Sequence, residues 1–496
     1  MALTLLTYPA QLNPVYSPIW YRVSSTLSSE ANFRYVFDTY VYNLTAHTST
    51  KVHRSKLFPR SDGTGQYSPA RILENYVSYD FDFFGAYFKP AMNSVTGFNV
   101  KVGEEYELTA STYSFTSTTS NAGLVQYNFP TPVTFYVGDE IKIDKADKQY
   151  NSTYDGLQTV TQVVSSTAIR TNKPYGDVVS NESGDCTYRL TIISGVSYSG
   201  IAINFAAQFT DRHDGIDYHT KYSITTPSIQ RGEAEPLTNI DYNIRLQSDE
   251  SYFISWYANH ATVRANNAAI LTYSNNIAVG AYLIPNSFGT NADIKRFSFA
   301  CGPRNLSGLS AFNYLAGATQ LILTGVSGYW DVTKYEIYLQ SSTLVDQVSN
   351  KRTIEIVKEC SEYPKIRLAF LNRVGGVDIF SFTLKSERSL KIDREYYTKN
   401  LAYNYAIQDR GEAILNINHQ EEISAWSNYL TEDEVEIMKE LFTSPEVYEI
   451  NDAQQRIIPV VITSNEYVQK TKYNDEMELM YQIKYRYAFK QKQQRN

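Results

Sequence analysis

The chain has few of the residues on which thiol and metal chemistry depends. Its 496 residues include three cysteines and six histidines. Cys186, Cys301 and Cys360 stand far apart and form no Cys-x-x-Cys pair, which is the spacing of zinc sites and dithiol redox centres. This pattern excludes both kinds of centre, and we expect buried, reduced thiols.

Long apolar runs and an excess of basic charge are also missing. No stretch approaches the ~18 apolar residues that cross a bilayer, and Met1–Pro9 lack the basic region and apolar core of a secretory signal. The 45 Lys and Arg residues against 52 Asp and Glu residues give a formal net charge of −7. We therefore expect a soluble protein without membrane contacts or sequence-specific nucleic-acid binding.

Familiar catalytic signatures are absent from the sequence. It contains no phosphate-binding Gly-x-x-x-x-Gly-Lys-Ser/Thr loop, no strand-bounded Gly-x-Gly-x-x-Gly, no Gly-x-Ser-x-Gly elbow and no twelve-residue calcium loop. The sequence therefore predicts no cofactor and assigns no catalytic, cofactor-binding or metal-binding residue.

Tyrosine is the residue in excess. The 42 tyrosines and 23 phenylalanines raise the aromatic fraction to 14%. Such residues serve either as carbohydrate platforms or as sheet and interface material. Because the tyrosines are spread over the whole chain, the second interpretation is favoured, and we expect many exposed tyrosines to be covered in an assembly.

Alternation of apolar and polar residues predicts a mainly β fold. It runs through Phe33–Val41, with Tyr35 facing inward and Tyr40 outward, and through Met477–Phe489, where it predicts a long strand with one wet face. Residues 366–371 and 377–384 predict a hairpin joined by Asn-Arg-Val-Gly-Gly, in which the glycines supply positive φ.

Helices are few. Thr431 and Glu434 form a capping-box pattern ahead of an amphipathic helix that should end near Thr443. A shorter helix is predicted from Pro69 to Tyr76, with Ser68 as its N-cap.

The length and the changes in pattern predict several domains. We expect an N-terminal β-rich domain with the short helix over residues 1–130 and an inserted small β-barrel over 131–190. A second β-sandwich follows over 191–395, and a C-terminal α+β unit with one capped helix over 396–496.

Two clusters deserve comparison with catalytic or metal sites. Asp80 and Asp82 alternate with aromatic residues on one side of a predicted strand, as in a glycosidase cleft, although the wet face of a strand gives the same pattern. His213 and His219 stand among Asp211, Asp214 and Asp217, a set that could bind a divalent cation or form a solvated loop.

Basic residues gather at the C-terminus. They suit either contact with an acidic partner or a solvated strand face and tail. The residues are Lys484, Arg486, Lys490, Lys492 and Arg495.

Several colinear segments carry a family resemblance. The hairpin Ile366–Phe382 resembles a Leu-x-Phe-Leu-Asn-Arg, Gly-Gly, Asp, Phe hairpin in virion structural proteins of tailed phages infecting Bacteroidetes, including crAss-like gut phages. Four more segments agree in order, although residues 191–330 match less well and Val374 and Val377 replace bulkier residues. These segments are 13–18 with 31–36, 69–77, 135–160, which looks like an SH3-like barrel insert, and 430–460.

The resemblance implies a non-enzymatic structural protein of the neck, tail or baseplate. Such proteins form homo-oligomeric rings that dock to other tail, neck or portal-associated proteins, so synthesis in the bacterial host cytoplasm and location in the virion follow. Ring stoichiometry, axial position and neighbouring proteins stay open. A tail-fibre or receptor-binding protein that contacts host glycans is the alternative, and a polysaccharide depolymerase using Asp80 and Asp82 is a third.

Overall fold

The protein is described from a computed structural model, and the fold is mainly β, as predicted. Strands account for 56% and helices for 8% of the residues that the structure describes. The chain divides into two compact units, residues 1–78 with 96–203 and residues 79–95 with 204–496. The structure describes residues 3–43, 48–79, 86–144, 154–176, 183–208, 211, 217–224, 234–240, 243–258, 267–274, 276–286, 294–307, 332–340, 347–357, 362–409, 411–464, 466 and 480–492.

The first unit contains a three-stranded sheet, in the order β1-β3-β6, and a ten-stranded sheet, in the order β5-β4-β8-β14-β11-β12-β13-β10-β9 with β2 paired to β14. The strands are β1 (Leu3–Thr7), β2 (Leu12–Pro14), β3 (Tyr21–Ser25), β4 (Arg34–Asn43), β5 (Thr48–Leu57), β6 (Thr64–Tyr67), β8 (Val95–Phe115), β9 (Ser117–Asn121), β10 (Leu124–Asn128), β11 (Glu140–Asp144), β12 (Gly156–Ser165), β13 (Ala168–Pro174) and β14 (Gly184–Ile203).

This unit has two separate apolar cores. One surrounds the buried rings of Tyr21, Tyr35 and Phe37. The other surrounds Tyr127 and is built by residues from Phe115 to Cys186. This smaller core therefore begins before residue 131, because β9 and β10 pair with each other and β10 pairs with β13. Its SH3-like character stays a prediction.

Strand β4 differs from the predicted strand with one wet face. It lies between β5 and β8, and both Val36 and Asp38 are buried. Burial alone would raise the pKa of Asp38, but hydrogen bonds and charge from Arg54 and Lys51 outweigh burial and lower it. Arg54 lies 2.6 Å and Lys51 lies 2.8 Å from this carboxylate. An acidic residue on the supposedly wet face is thus buried by its neighbours on the edge strand.

The second unit contains sheets of four strands (β15-β17-β20-β7), five strands (β16-β22-β21-β18-β19) and eight strands (β24-β23-β27-β28-β29-β26-β25, with β30 on β26). The strands are β7 (Phe88–Pro90), β15 (Ser223–Ile224), β16 (Ile244–Leu246), β17 (Phe253–Ala258), β18 (Asn267–Ser274), β19 (Ile277–Ile284), β20 (Arg296–Ala300), β21 (Lys334–Gln340), β22 (Arg352–Ile356), β23 (Ile366–Leu371), β24 (Val377–Phe382), β25 (Ser386–Thr398), β26 (Glu412–Trp426), β27 (Val447–Asn451), β28 (Arg456–Ile462), β29 (Gln482–Tyr487) and β30 (Gln491–Lys492).

The predicted hairpin is confirmed as β23 and β24, which pair antiparallel from Ile366 opposite Phe382 to Leu371 opposite Val377. Every residue of β23 is buried. The hairpin belongs to the large core that also contains Trp256 and Tyr485.

Two expected domain boundaries fall inside strands. Position 190 lies within β14 and position 395 lies within β25. The two compact units therefore differ from the expected four segments, because long strands continue through the changes in sequence pattern.

The capped helix is confirmed over Glu432–Thr443, and Thr431 and Glu434 form the capping box. The shorter predicted helix is a single turn, Ala70–Leu73, followed by a 3₁₀ turn, Glu74–Tyr76. Its N-cap is Pro69 instead of Ser68. Further helical segments in the described part of the chain include the 3₁₀ turn Met92–Ser94 and the helices Tyr218–Tyr222 and Pro303–Ser307.

The C-terminal strand is shorter than its sequence pattern. Strand β29 covers only Gln482–Tyr487, and Met477 falls outside the described residues. Tyr481 and Tyr485 are buried as predicted, but Phe489 is 70% exposed because it lies beyond the strand. Within the described part of the chain, no helix is both long and apolar enough to cross a membrane.

Candidate assembly surface

Strands β25 and β26 form a long two-stranded hairpin, here called the arm (residues 386–426). They pair from Ser386 opposite Ala425 to Thr398 opposite Glu412. Strands β29 and β30 pair with β26 only from Asn418 onward. Among the described strands, the outer half of the arm therefore has only its own two strands for support.

Strand β25 of the arm is almost entirely solvent-exposed, whereas most of β26 is half-buried. Every residue from Glu387 to Thr398 is exposed, whereas the strands of a folded core usually bury at least one face. Apolar side chains in this stretch and opposite it have no cover: Leu390 is 55%, Tyr396 57% and Ile414 44% exposed.

The two faces of the arm differ in apolar content. Because successive side chains point to opposite faces, Leu390, Ile392 and Tyr396 share one face. This face also carries Arg388 and Arg394. Ile414 joins it as the cross-strand partner of Tyr396. The other face carries Glu387, Ser389, Lys391, Asp393, Glu395 and Tyr397. The first face, here called the apolar face, therefore holds most of the apolar side chains of β25, and these lack a covering layer among the described residues.

The tip of the arm, residues 399–411, adds further exposed apolar area. Tyr403 and Ile407 are fully exposed, and Tyr405 is 59% exposed. Exposed apolar groups grouped in this way are typical of contact surfaces.

The base of the arm is anchored in the eight-stranded sheet. Ile423 and Ala425 are buried and pair with Tyr485 and Ile483 of β29. Tyr485 donates a hydrogen bond to Glu449 at 2.8 Å, and burial together with the Glu449 charge raises the pKa of its hydroxyl. The arm therefore extends from a packed foundation.

The basic C-terminal residues lie beside this base. Lys484 and Arg486 are on β29, and Arg486 donates to Gln420 of β26 at 2.8 Å. Lys490 is exposed, Lys492 pairs with Asn418 through its backbone, and Arg495 lies outside the described residues. Arg486 thus supports the arm, and contact of the other residues with a partner stays a prediction.

A buried polar cluster closes the β23–β24 hairpin. We call Asn372, Asp378, Thr238 and the Leu237 carbonyl group the hairpin lock. Asn372 donates to Asp378 at 2.8 Å and to the Leu237 carbonyl at 3.1 Å, and Thr238 donates to Asp378 at 2.7 Å. The Gly376 N–H in turn donates to Asn372 at 2.7 Å. These hydrogen bonds fix the hairpin against a segment that is distant in sequence.

The two glycines of the hairpin meet different requirements. Gly375 has a φ of 78°, the left-handed conformation predicted for the turn. Gly376 is not among the residues with positive φ, but an added Cβ there would overlap the Leu237 carbonyl group. Close approach of two backbones therefore requires the second glycine.

Arg373 extends the network to the capped helix. Its guanidinium lies 3.1 Å from Asp211 and 3.4 Å from Glu440. Glu440 also accepts a hydrogen bond from Asn239. Burial raises the pKa of Glu440 more than the Arg373 charge lowers it.

A polar cleft of about 370 Å³ borders this network. Its charges largely neutralise one another, since Arg352 pairs with Glu235 at 2.8 Å and Arg373 pairs with Glu440. The cleft therefore has no strong preference for an ionic ligand of one sign.

The acidic residues of the candidate metal cluster have separate roles in local structure. Asp211 accepts hydrogen bonds from Tyr218 and from the Gln208 N–H. Asp217 caps the short helix by accepting from the His219 N–H, and burial lowers the pKa of the His219 ring. These acids serve local structure, and His213 and Asp214 lie outside the described residues.

The described part of the chain holds no group of three His, Cys, Asp or Glu residues placed to bind a metal ion. Asp80 and Asp82 also lie outside the described residues, as does Cys360. Cys186 and Cys301 are free and buried, and burial raises the pKa of Cys186 to about 12. The predicted burial is confirmed for these two thiols.

Sequence reasoning missed the arm. An available signal was the run of charged residues around Leu390 and Ile392, which contains neither Pro nor Gly and alternates like a strand. A domain boundary was expected within it, and exposure on both faces cannot be read from alternation alone.

Neither a protein-family model nor a curated protein matches this chain. The arm and the hairpin lock therefore provide the structural basis for assigning a function.

Replacement of Gly376 by Ala should destabilise the second unit by about 4 kcal/mol or more, because the new methyl group meets backbone. The measurement is chemical unfolding followed by tryptophan fluorescence. Gly176→Ala is the matched control, since an added Cβ there has no neighbour within 4 Å. Equal stability of the two variants would refute the close approach.

Asp378→Asn should flatten the pH dependence of stability. Burial raises the pKa of Asp378 from 3.8 to about 7, with a further increase from Glu440, against hydrogen bonds from Thr238 and Asn372 and the Arg352 charge. Between about pH 4 and 7 the Asp378 carboxyl is ionised in the unfolded protein but still protonated in the folded protein. The free energy of unfolding of the wild type should therefore fall as the pH rises, by roughly 1.4 kcal/mol per pH unit for this one proton.

The measurement for Asp378→Asn is the urea midpoint from pH 4 to 8. Because Glu440 titrates in both proteins, the difference between the two curves isolates Asp378. Parallel curves would contradict the assignment.

Proposed function

We propose that this protein is a structural component of a tailed-bacteriophage virion. It acts by self-assembly into a ring of the neck, tail or baseplate and by docking to adjacent virion proteins. The observation that carries the proposal is the arm, a hairpin whose apolar face has no cover in the described part of the chain.

Exposure of this kind favours association. Burial of apolar surface contributes roughly 25 cal/mol per Å² of favourable free energy. Covering Leu390, Tyr396 and Ile414 with another surface would therefore stabilise an assembly. An edge strand also offers backbone groups to a partner. In a monomer the apolar side chains and the unpaired backbone groups stay exposed to solvent, whereas in an assembled subunit they lie at an interface.

The hairpin that resembles phage virion proteins supports a scaffolding role. Its polar residues Asn372 and Asp378 are fully engaged in the hairpin lock, and Arg373 is held by two carboxylates. Arg373 also lines the polar cleft, where its charge is paired with Glu440. The proposal gives these residues a structural role and includes neither an enzymatic activity nor a cofactor.

A second candidate, receptor binding, is favoured by one observation. Exposed tyrosines are concentrated at the outer arm, where Tyr396, Tyr397, Tyr403 and Tyr405 stand. Tyrosine rings also serve as platforms for sugars. A glycan array separates the two functions: saturable binding lost in Tyr403→Ser/Tyr405→Ser would favour the receptor-binding alternative.

An arm-trimmed variant tests the proposed assembly. Asp393 and Asn418 are opposite each other, so Asn-Gly can replace residues 394–417 as a two-residue turn. We expect the wild type to form oligomers in electron micrographs and the variant to lose them, because most of the exposed apolar residues of the arm are gone.

The control for trimming is retention of the folded body, checked by circular dichroism and by the unfolding midpoint. The proposal also predicts the protein among the components of purified phage particles by mass spectrometry. A wild type that stays monomeric at all concentrations and is absent from particles would contradict it.

A further inference from the structure

Strand β25 has a free edge over all 13 of its residues, since β26 is its only partner in the described part of the chain. The backbone N–H and C=O groups of successive residues alternate in direction, so about half of them point away from β26. The β-bulge near Glu395 has its extra residue, Leu415, in β26, so β25 itself has no irregularity there.

This edge differs from the edge strand β5 of the first unit. Strand β5 carries Lys51, Arg54 and Lys56, which hold buried carboxylates of neighbouring strands at 2.6 to 2.8 Å. Inward-directed charges of this kind protect an edge from pairing. In β25, Lys391 and Asp393 oppose the neutral residues Gln420 and Asn418.

We infer that β25 pairs antiparallel with β25 of a second copy of this chain about a two-fold axis at Ile392, an inference that rests on the proposed self-assembly. Ile392 is the central residue of Ser386–Thr398, so this register uses the whole edge. In this register, Lys391 faces Asp393 of the second copy, and symmetry forms the same pair twice.

Other symmetric registers oppose like charges. A centre at Lys391 would place that residue against itself and Arg388 against Arg394. A centre at Asp393 would place two aspartates together, although it would also pair Lys391 with Glu395 twice. The next centres, Leu390 and Arg394, each oppose two acids. Like charges directly opposite each other are destabilising, and of these five registers only the one centred at Ile392 has no such pair. This register also has the greatest overlap.

The pairing is closed after two copies, because a two-fold contact uses the same surface on both. It joins copies in pairs, and ring closure needs other surfaces. The apolar faces of the two arms become continuous in the joined sheet, since an axis perpendicular to the sheet preserves its faces. The uncovered residues Leu390 and Ile392 thereby become part of one larger docking surface.

Charge reversal tests the register. Lys391→Asp and Asp393→Lys each place like charges opposite each other twice, so each should weaken dimerisation about tenfold or more in sedimentation velocity. The double variant K391D/D393K should restore it, as should an equimolar mixture of the two single variants. Because all these residues are exposed, unfolding midpoints should stay unchanged.

Cysteine cross-linking tests the geometry in a Cys360→Ser background. Ile392→Cys should form a disulfide-linked dimer, because directly opposed residues have Cα atoms roughly 4.5–5.5 Å apart. Leu390→Cys alone should not, since its mate lies about 13 Å away along the strand. A mixture of Leu390→Cys and Arg394→Cys chains should cross-link again.

The outcomes separate this pairing from the proposed function. Oligomers that persist in both single charge variants, or an Ile392→Cys chain that fails to cross-link, would overturn the pairing and leave virion assembly standing. Cross-linking at Ile392 in a protein that is absent from phage particles would leave the pairing and overturn the function.

Discussion

The need of every strand for hydrogen-bonding neighbours is the constraint on which the structure depends. The described strands form five sheets, and each sheet ends in edges. At β5 the edge is protected by lysine and arginine residues directed toward buried carboxylates. At β25 the edge is regular and exposed, and no buried carboxylate in the described part of the chain holds its lysine or arginine residues. It is therefore the edge that we propose pairs with a second copy.

The polar groups of the β23–β24 hairpin, in contrast, are paired inside the second unit. The hairpin lock satisfies Asn372 and Asp378, and the helix residue Glu440 holds Arg373. Buried polar groups that are fully paired specify one arrangement of the chain. The contrast between the paired hairpin lock and the exposed arm is the reason why we propose a function at a surface.

Much of the local structure could be predicted from sequence. The hairpin at residues 366–382 and the capping box at Thr431 depend on short-range rules, and both are confirmed. The burial of Asp38 could not be predicted, because it requires Arg54 and Lys51 on a neighbouring strand. The role of Gly376 was equally hidden, because it lies in the close approach to Leu237, far away in sequence, and not in the positive φ that was predicted. The arm could not be predicted because alternation in the sequence indicates two faces of a strand but not whether another layer covers either face.

Hydrogen–deuterium exchange across residues 386–398 distinguishes a paired β25 edge from a free one. The outward-facing amides of β25 are exposed to solvent in a single copy and would be hydrogen-bonded in an assembly. We expect these amides to exchange rapidly in dilute protein and to become protected as the concentration rises into the oligomeric range. Oligomers in which the β25 amides exchange as fast as they do in dilute protein would contradict the proposed pairing.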